Sequence, residues 1–303
     1  MSPAPAGTTP APSCRSSSIT DGAVKTIGGF LRLLRPGNMA IAGLSAAVGA
    51  LPGWRGWPLP DVLAAAGSVM LLAGGGNALN DHYDLAIDRV NRPGRPLPAG
   101  MLTPRFARWA GLSLLAAGVA AGFAAGAGVG LLAVAAAVLL WLYAARGKRM
   151  ALWGNALVAA LAGTAFFFGG MAAGDWRWAA YPAGFALLMH LAREIVKDVQ
   201  DQPGDRAAGA RTTAIALGQR RALAVAAAAL GLLFLLTPLP HLLGAYSRWY
   251  LLLALLLVNP FLLWAARELL RDPDPRRIAR LSRLIKLDML AGLAAIVAGT
   301  LLH

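Results

Sequence analysis

The stretch "VLAAAGSVMLLAGGGNALNDHYDLAID", residues 62–88, decides how this chain folds. No charge occurs from Val62 to Asn80, and then Asp81, Asp84 and Asp88 follow in quick succession, with Asn77 one turn before them. Steps of four, three and four residues put Asn77, Asp81, Asp84 and Asp88 on one face of an α-helix. The spacing recurs in "WAAYPAGFALLMHLAREIVKDVQDQPGD", residues 178–205, as Glu194, Asp198, Asp201 and Asp205, each 117 residues further on (194 − 77). An arginine closes each row, Arg89 and Arg206, and the rows hold seven of the 14 acidic residues. Acids on apolar helices are expensive and mark function. Two such faces in one molecule need a cation between them, which makes the chain a candidate metal-dependent membrane enzyme.

Composition agrees. The 303 residues are 57% hydrophobic and 14% charged, where a soluble domain carries about 25% charged residues. Apolar runs of about twenty residues, enough to cross a bilayer as a helix, fall at 37–53, 59–80, 104–124, 127–145, 151–173, 178–199, 219–239, 248–268 and 281–301. The fold class is therefore all-α, a polytopic bundle of nine transmembrane helices. With the N-terminus in the cytoplasm, Arg55, Arg177 and Arg248 alone among the 28 Lys and Arg fall on the far side. That is the positive-inside pattern, and it puts the C-terminus opposite. Trp54, Trp57, Trp176, Trp178 and Trp249 mark the outer interface, and Trp109, Trp141, Trp153 and Trp264 the inner one. The net charge of +14 thus reads as topology and contact with membrane lipids, not nucleic acid. Abundant Ala, Gly, Leu and Arg suit a GC-rich bacterial genome and the cytoplasmic membrane of a prokaryote. Cys14, the single cysteine, excludes an internal disulfide and a cysteine metal site. Residues 1–28 read as a disordered tail before a transmembrane domain at 29–303.

The connections on the inner side, 81–103, 200–218 and 269–280, are the long ones, so function is expected on the cytoplasmic face. Both rows run out into Pro- and Gly-containing loops, "NRPGRPLPAG" (91–100) and "QPGDRAAGART" (202–212), which are expected to cap the bundle. Pro203 is expected to end the sixth span and leave Asp205 on a loop. The constant offset suggests an internal duplication with the second and sixth helices in equivalent roles.

Carboxylates with Asn and Glu are hard oxygen donors suited to Mg²⁺, which takes one or two carboxylates together with substrate phosphate oxygens. Two facing rows could hold Mg²⁺ ions and a diphosphate between them. Arg92, Arg95, Lys148, Lys197 and Arg211 lie on the same side, where Arg forks and Lys point charges grip phosphate. Such groups stabilise a departing pyrophosphate, and the bilayer points to a lipid as the group left behind.

These motifs are similar to those of a known family. "NDHYDLAID" (80–88) and "EIVKDVQDQPGD" (194–205) resemble the two Asp-rich signatures of the UbiA superfamily of intramembrane prenyltransferases. "RPGN" (35–38), "RPLPAG" (95–100), "LYAARGKR" (142–149), "GNALVA" (154–159), "GARTTAIALG" (209–218) and "IKLDMLAG" (285–292) match in order. The resemblance implies a helical bundle around a cavity open to lipid, in which a polyprenyl diphosphate ionises with Mg²⁺ and an acceptor captures the carbocation. By position it implies Asp81, Asp84, Asp198 and Asp201 as the main metal-facing carboxylates, assisted by Asn77, Asp88, Glu194 and Asp205. Asn38, Arg95, Lys148, Lys197 and Arg211 would meet the diphosphate, and Tyr143 the cation or acceptor through its ring. The sequence most resembles the branch that transfers geranylgeranyl to geranylgeranylglyceryl phosphate. Quinone-pathway aromatic prenyltransferases and chlorophyll synthases share much of the pattern.

Other readings are weaker. A Mg²⁺ or phosphate transporter needs acids along a path, and none lies midway along the third, seventh or eighth span. The compact signature of CDP-alcohol phosphotransferases is absent. The four histidines lack metal-ligand spacing, Pro182 and Asn259-Pro260 suggest kinks, and Asp288 is expected to pair with Lys286.

Overall fold

The structure, a computed structural model, describes residues 19–56, 58–147, 150–271 and 273–302. Cys14, Trp57 and Lys148 lie outside the described residues, as do the side chains of Trp54 and Arg55. Among the described residues all regular structure is helical. An amphipathic α1 (Ile19–Leu34) leads into α2 (Pro36–Ala50), α3 (Leu59–Tyr83) and the short α4 (Leu85–Asn91). Then come α5 (Pro104–Ala124), α6 (Ala127–Arg146), α7 (Leu152–Ala172) and α8 (Ala180–Ala207). The last part holds α9 (Thr213–Leu217), α10 (Gln219–Leu236), α11 (Leu239–Leu242), α12 (Arg248–Leu253), α13 (Asn259–Leu270) and α14 (Pro275–Leu301). A π-helical turn over Ala254–Val258 joins α12 to α13, just before Pro260, so the expected kink there is a π bulge.

Among the described residues, seven stretches are long and apolar enough to cross a membrane: α3, α5, α6, α7, Gln219–Leu242, Arg248–Leu270 and α14. Two of the nine expected spans fall short. Helix α2 has 15 residues, and the C-terminal half of α8 carries Arg193, Glu194, Lys197, Asp198 and Asp201. Helix α1 begins at Ile19, so residues 19–28, expected to belong to the tail, are helical. Phe30 and Leu33 of α1 pack on Leu97, Leu102 and Ala107, while Val24, Ile27 and Leu31 stay exposed. An exposed apolar stripe of this kind suits the membrane interface.

Helix starts follow local chemistry. The Thr103 hydroxyl accepts from the Phe106 N–H at 3.2 Å before Pro104, and Asp274 accepts from the Arg277 N–H at 2.9 Å before Pro275. Each is an N-cap with proline in the first turn, where no N–H is missed. Trp109, Trp141, Trp153, Trp176, Trp178, Trp249 and Trp264 are all exposed, as aromatic belts require.

Small residues let the backbones meet. Ser68 and Gly75 of α3 face Gly111 and Gly118 of α5, and the Ser68 hydroxyl donates to the Gly118 carbonyl at 2.6 Å. In α2 and α7, a Cβ at Gly49 would overlap the Phe166 carbonyl, and one at Gly169 the Ala46 carbonyl. In lipid, helices associate through this close packing. One core joins α2, α3, α5, α6 and α7, and another joins α8, α9, α10, α13 and α14. A cavity bordered by α2, α3, α6, α7, α8 and α14 lies between the two halves.

The backbone contact between α2 and α7 gives a stability test. Gly169→Ala is expected to cost about 1–3 kcal/mol through overpacking, read as a lower Tm in detergent. Gly231→Ala, where an added Cβ meets nothing within 4 Å, is expected to leave Tm unchanged or slightly raised.

Candidate active site

The two acidic rows end up at the same end of the bundle, one on each half. Asn77 and Asp81 lie on α3, and Asp88 on α4. Asp84 is the junction between the helices, with φ −86° and ψ 8°. Hydrogen bonds from Asp84 N to Asn80 O and from Asp88 N to Asp84 O, both 2.8 Å, carry the helical register across the break. The first row is thus a kinked helix rather than one straight face.

The second row corrects an expectation. Helix α8 does not stop at Pro203 but continues to Ala207, and Asp205 is a fully buried helical residue, not a loop residue. Proline removes an N–H and disturbs the helix around it. Asn91, at the end of α4, reaches across to that disturbance. Its Nδ2 donates to the Asp201 carbonyl at 2.8 Å, and its Oδ1 accepts from the Gly204 N–H at 2.9 Å. A neighbouring side chain re-satisfies the backbone at a proline inside a helix. The clip fits because residue 204 is glycine: a Cβ there would lie 2.6 Å from Asn91 Nδ2. Beyond α8, Gly209 at φ +65° makes the turn, with Gly209 N on Arg206 O (3.1 Å) and Ala210 N on Asp205 O (2.8 Å). This left-handed cap sends the chain back so that Thr213 returns beside Asp198.

Seven buried carboxylates at one end demand compensation, and most of it comes from other helices. Arg35, at the α1–α2 junction, makes a short ion pair with Asp81 and donates to Asn77 Oδ1 at 3.3 Å. Arg95 Nη1 contacts Asp88 at 2.5 Å and Asp81 at 3.2 Å. Arg92 Nη2 spans both oxygens of Asp201, at 2.7 and 2.9 Å, and so ties the first loop to the second row. Asp198 Oδ2 accepts from Asn155 Nδ2 at 3.0 Å and from the Thr213 N–H at 3.2 Å. Glu194 meets Lys197 at 2.6 Å and Arg193 at 3.0 Å. Burial opposes the charge on Arg95, but Asp81 and Asp88, with Asp201 behind them, outweigh it and hold the guanidinium above its ordinary pKa. Burial wins at Arg35, whose pKa falls below its ordinary value despite Asp81. Arg35 also sits at φ 55°, a left-handed backbone rare outside glycine. Such strain clusters at ligand sites.

The central cavity has about 1720 Å³ of empty space, counting its open mouth. Its polar end presents Arg35, Asn38, Arg95, Tyr143, Glu194 and Lys197, and its depth is walled by Val69, Leu72, Leu140, Leu161 and Phe168. Tyr143 lies within electrostatic reach of Asp84, Glu194, Asp198 and Asp205, that is, of both rows. Asp81 faces a shallower pocket beside it with Arg32, Arg35, Arg92 and Arg95. Asp84, Asp88, Asp198, Asp201 and Asp205 are buried behind these surfaces.

The structure thus gathers Asn38, Asn77, Arg95, Tyr143, Lys197 and the two rows. It does not gather Arg211, whose side chain is exposed while its carbonyl accepts from Ala151 N at 2.9 Å. Lys148 lies outside the described residues. The expected Lys286–Asp288 pair is absent, because Lys286 Nζ donates to Asn38 Oδ1 at 2.7 Å. Residues two apart on a helix point to different sides. Sequence reasoning missed Arg35, Asn91, Asn155 and Thr213 as individual residues. The Arg-Pro step at 35–36 was the available signal for the first.

Hard oxygen donors in two rows fit Mg²⁺ in kind. Among the described residues no three Asp, Glu, His or Cys side chains converge into a cluster that could hold an ion. Mg²⁺ does not require one, since it uses one or two carboxylates with water and phosphate oxygens.

A lipid-facing helical bundle, with carboxylate rows and arginines at the mouth of an apolar cavity, defines a class of membrane-embedded enzymes acting on amphiphilic phosphates. The pattern of the UbiA prenyltransferase family matches residues 39–289, and the chain belongs to that family. It is 37% identical to a digeranylgeranylglyceryl phosphate synthase of Methanothermobacter thermautotrophicus, over 89% of this chain and 95% of the relative. The same enzyme of Methanopyrus kandleri is 39% identical, over 90% and 99%. Among solved structures, a digeranylgeranylglyceryl phosphate synthase superposes with a TM-score of 0.74 at 29% identity, covering 92% of this chain and all of the other. A UbiA homolog from Archaeoglobus fulgidus bound to GPP and Mg²⁺ shares the fold with a TM-score of 0.62 at 20% identity, over 88% and 99%.

The Asn91 clip makes a local prediction. Asn91→Ala strands a buried N–H and weakens the end of α8 by about 1–3 kcal/mol. Hydrogen exchange should show faster exchange at 200–207, with α5 amides unchanged.

Proposed function

We propose that this prenyltransferase moves a geranylgeranyl group from its diphosphate to the free hydroxyl of geranylgeranylglyceryl phosphate, with Mg²⁺ as cofactor. The observation that carries this reading is the meeting of two buried carboxylate rows, laced with arginine, at the mouth of a cavity whose depth is apolar. Diphosphate, metal and cations belong at the mouth, and an isoprenoid chain belongs in the depth. Relatives at 37% and 39% identity over most of both chains support the acceptor.

Asp81, Asp84, Asp198 and Asp201, with Asn77, Asp88, Glu194 and Asp205 around them, are the assigned donors for Mg²⁺. When bound, Mg²⁺ offsets the charge that builds on the leaving pyrophosphate. Arg35, Arg95 and Lys197 supply fixed positive charge for the phosphate oxygens, with Asn38 held beside them by Lys286. The walls of Leu72, Leu140, Leu161 and Phe168 keep water from the allylic carbocation, and the Tyr143 ring offers it a π face. We assign the short α2 and the polar-ended α8 as spans too, which gives nine, with the N-terminus and the cap of 81–103 and 200–218 in the cytoplasm. The distribution of Lys and Arg supports that orientation.

Membranes containing the protein, given geranylgeranyl diphosphate and Mg²⁺, should form an ether product with geranylgeranylglyceryl phosphate and none with 4-hydroxybenzoate. EDTA should stop the reaction. Asp81→Ala and Asp198→Ala should each lower kcat by about 100-fold or more while leaving an extractable protein. Near-normal rates in both variants, or transfer to the aromatic acid alone, would overturn the reading.

A further inference from the structure

A second, smaller pocket lies against the central cavity. Both are lined by Ile41, Ser45, Ala162, His190 and Met289, the shared wall, or neck, between them. Beyond the neck the wall is mostly apolar, with Phe166, Phe185, Leu233, Leu293 and Ile296. The π-helical turn contributes Ala254 and Val258, and such turns recur at functional sites.

Asp288, near the middle of α14, is set into this wall. It is 6% exposed, and its Oδ2 has no hydrogen-bond partner. A buried acid in a membrane helix is costly and is retained where something uses it. The neighbouring hydroxyls are already committed. Tyr250 donates to the Thr237 carbonyl at 2.6 Å, Thr237 to Asn259 Oδ1 at 2.8 Å, and Ser45 to the Ile41 carbonyl at 2.9 Å. On the polar side of the neck, Arg193 Nε is a buried donor with no partner, and Arg193 and Lys286 lie within electrostatic reach of each other. An unused donor on Arg193, near Lys286, and an unused acceptor on Asp288 therefore line the two adjoining pockets.

We propose that this chamber is the acceptor subsite: it receives the glycerol-proximal part of the isoprenoid tail of a prenylated glycerol phosphate, whose free hydroxyl is held by the Asp288 carboxyl. The inference rests on the acceptor assigned above. Both substrates then carry an apolar chain, and both chains must be housed while their reactive ends meet. Two compartments that share a wall fit that requirement. Asp288, Gly292 and Ile296, four residues apart, lie along one side of α14 in the second pocket, for hydroxyl and chain, while Lys286 faces the central cavity, for phosphate.

The test uses the full chain in lipid nanodiscs, with KM measured separately for geranylgeranyl diphosphate and geranylgeranylglyceryl phosphate. Asp288→Leu should raise the acceptor KM about tenfold, the loss of one buried hydrogen bond, and Asp288→Asn should recover most of it. A Cβ at Gly292 meets nothing within 4 Å, so Gly292→Leu can fill the chamber without disturbing the helix packing. That variant should raise the acceptor KM for the long-chain substrate far more than for a short-chain glycerol phosphate ether. The KM for geranylgeranyl diphosphate should stay within about twofold in each variant. If Asp288→Leu fails to fold, Gly292→Leu decides alone. Wild-type transfer with an unchanged acceptor KM in the folded variants, or an equal rise in both KM values, overturns the subsite but not the function. Absence of wild-type transfer to this acceptor overturns both.

Discussion

Seven carboxylates held out of water at one end of a helical bundle set the terms for everything around them. An ionised acid in a low-dielectric setting is tolerable only beside positive charge or several donors, and removing one partner of such a pair costs about 3–5 kcal/mol. Most compensating groups come from other helices. Arg35 reaches Asp81 from the α1–α2 junction, Arg92 reaches Asp201 from the loop after α4, and Asn155 reaches Asp198 from α7. Two of these contacts, Arg92 to Asp201 and Asn155 to Asp198, run from one half to the other and bind the halves together at that end.

The rest of the architecture makes that arrangement affordable. Ion pairs do not survive drift of an ångström or two, so the helices beneath them must be fixed. Glycine and serine contacts between α3 and α5, and between α2 and α7, bring backbones together along much of their length. Side chains too large for those interfaces turn inward to line the cavity or outward to lipid. At the mouth, the Asn91 clip does for the backbone what the arginines do for the charges. It repairs the helix where Pro203 interrupts it and keeps Asp205 in line with Asp201.

The apolar spans and both acidic rows were legible in the sequence because hydropathy and helical spacing are local signals. Among the described residues, seven of the nine expected spans meet the length and apolarity of a crossing helix. The other two, read at 37–53 and 178–199, correspond to α2, which has 15 residues, and to α8, whose second half is polar. Pro203 misled because its effect depends on Asn91, more than 100 residues away in sequence and adjacent in space. Arg35, Asn155 and Thr213 were hidden for the same reason: each matters through a partner that only the fold supplies. Asp288 was misread in the opposite direction. Lys286 is its neighbour in sequence, yet 200° of helical rotation separates residues two apart at about 3.6 per turn, and the lysine turns to Asn38 instead.

The ion pairs at the mouth also bear on how a charged ligand would enter. Arg35, Arg92 and Arg95 are occupied by Asp81, Asp88 and Asp201, so an anion arriving alone would have to pull them away from buried carboxylates. A ligand that brings its own divalent cation avoids that cost. A metal on the carboxylates would take the place of the arginines, leaving the guanidiniums free for phosphate oxygens without adding buried charges that lack a partner. On these terms the mouth would disfavour a bare diphosphate, because its carboxylates already have partners, and would favour a diphosphate arriving with Mg²⁺.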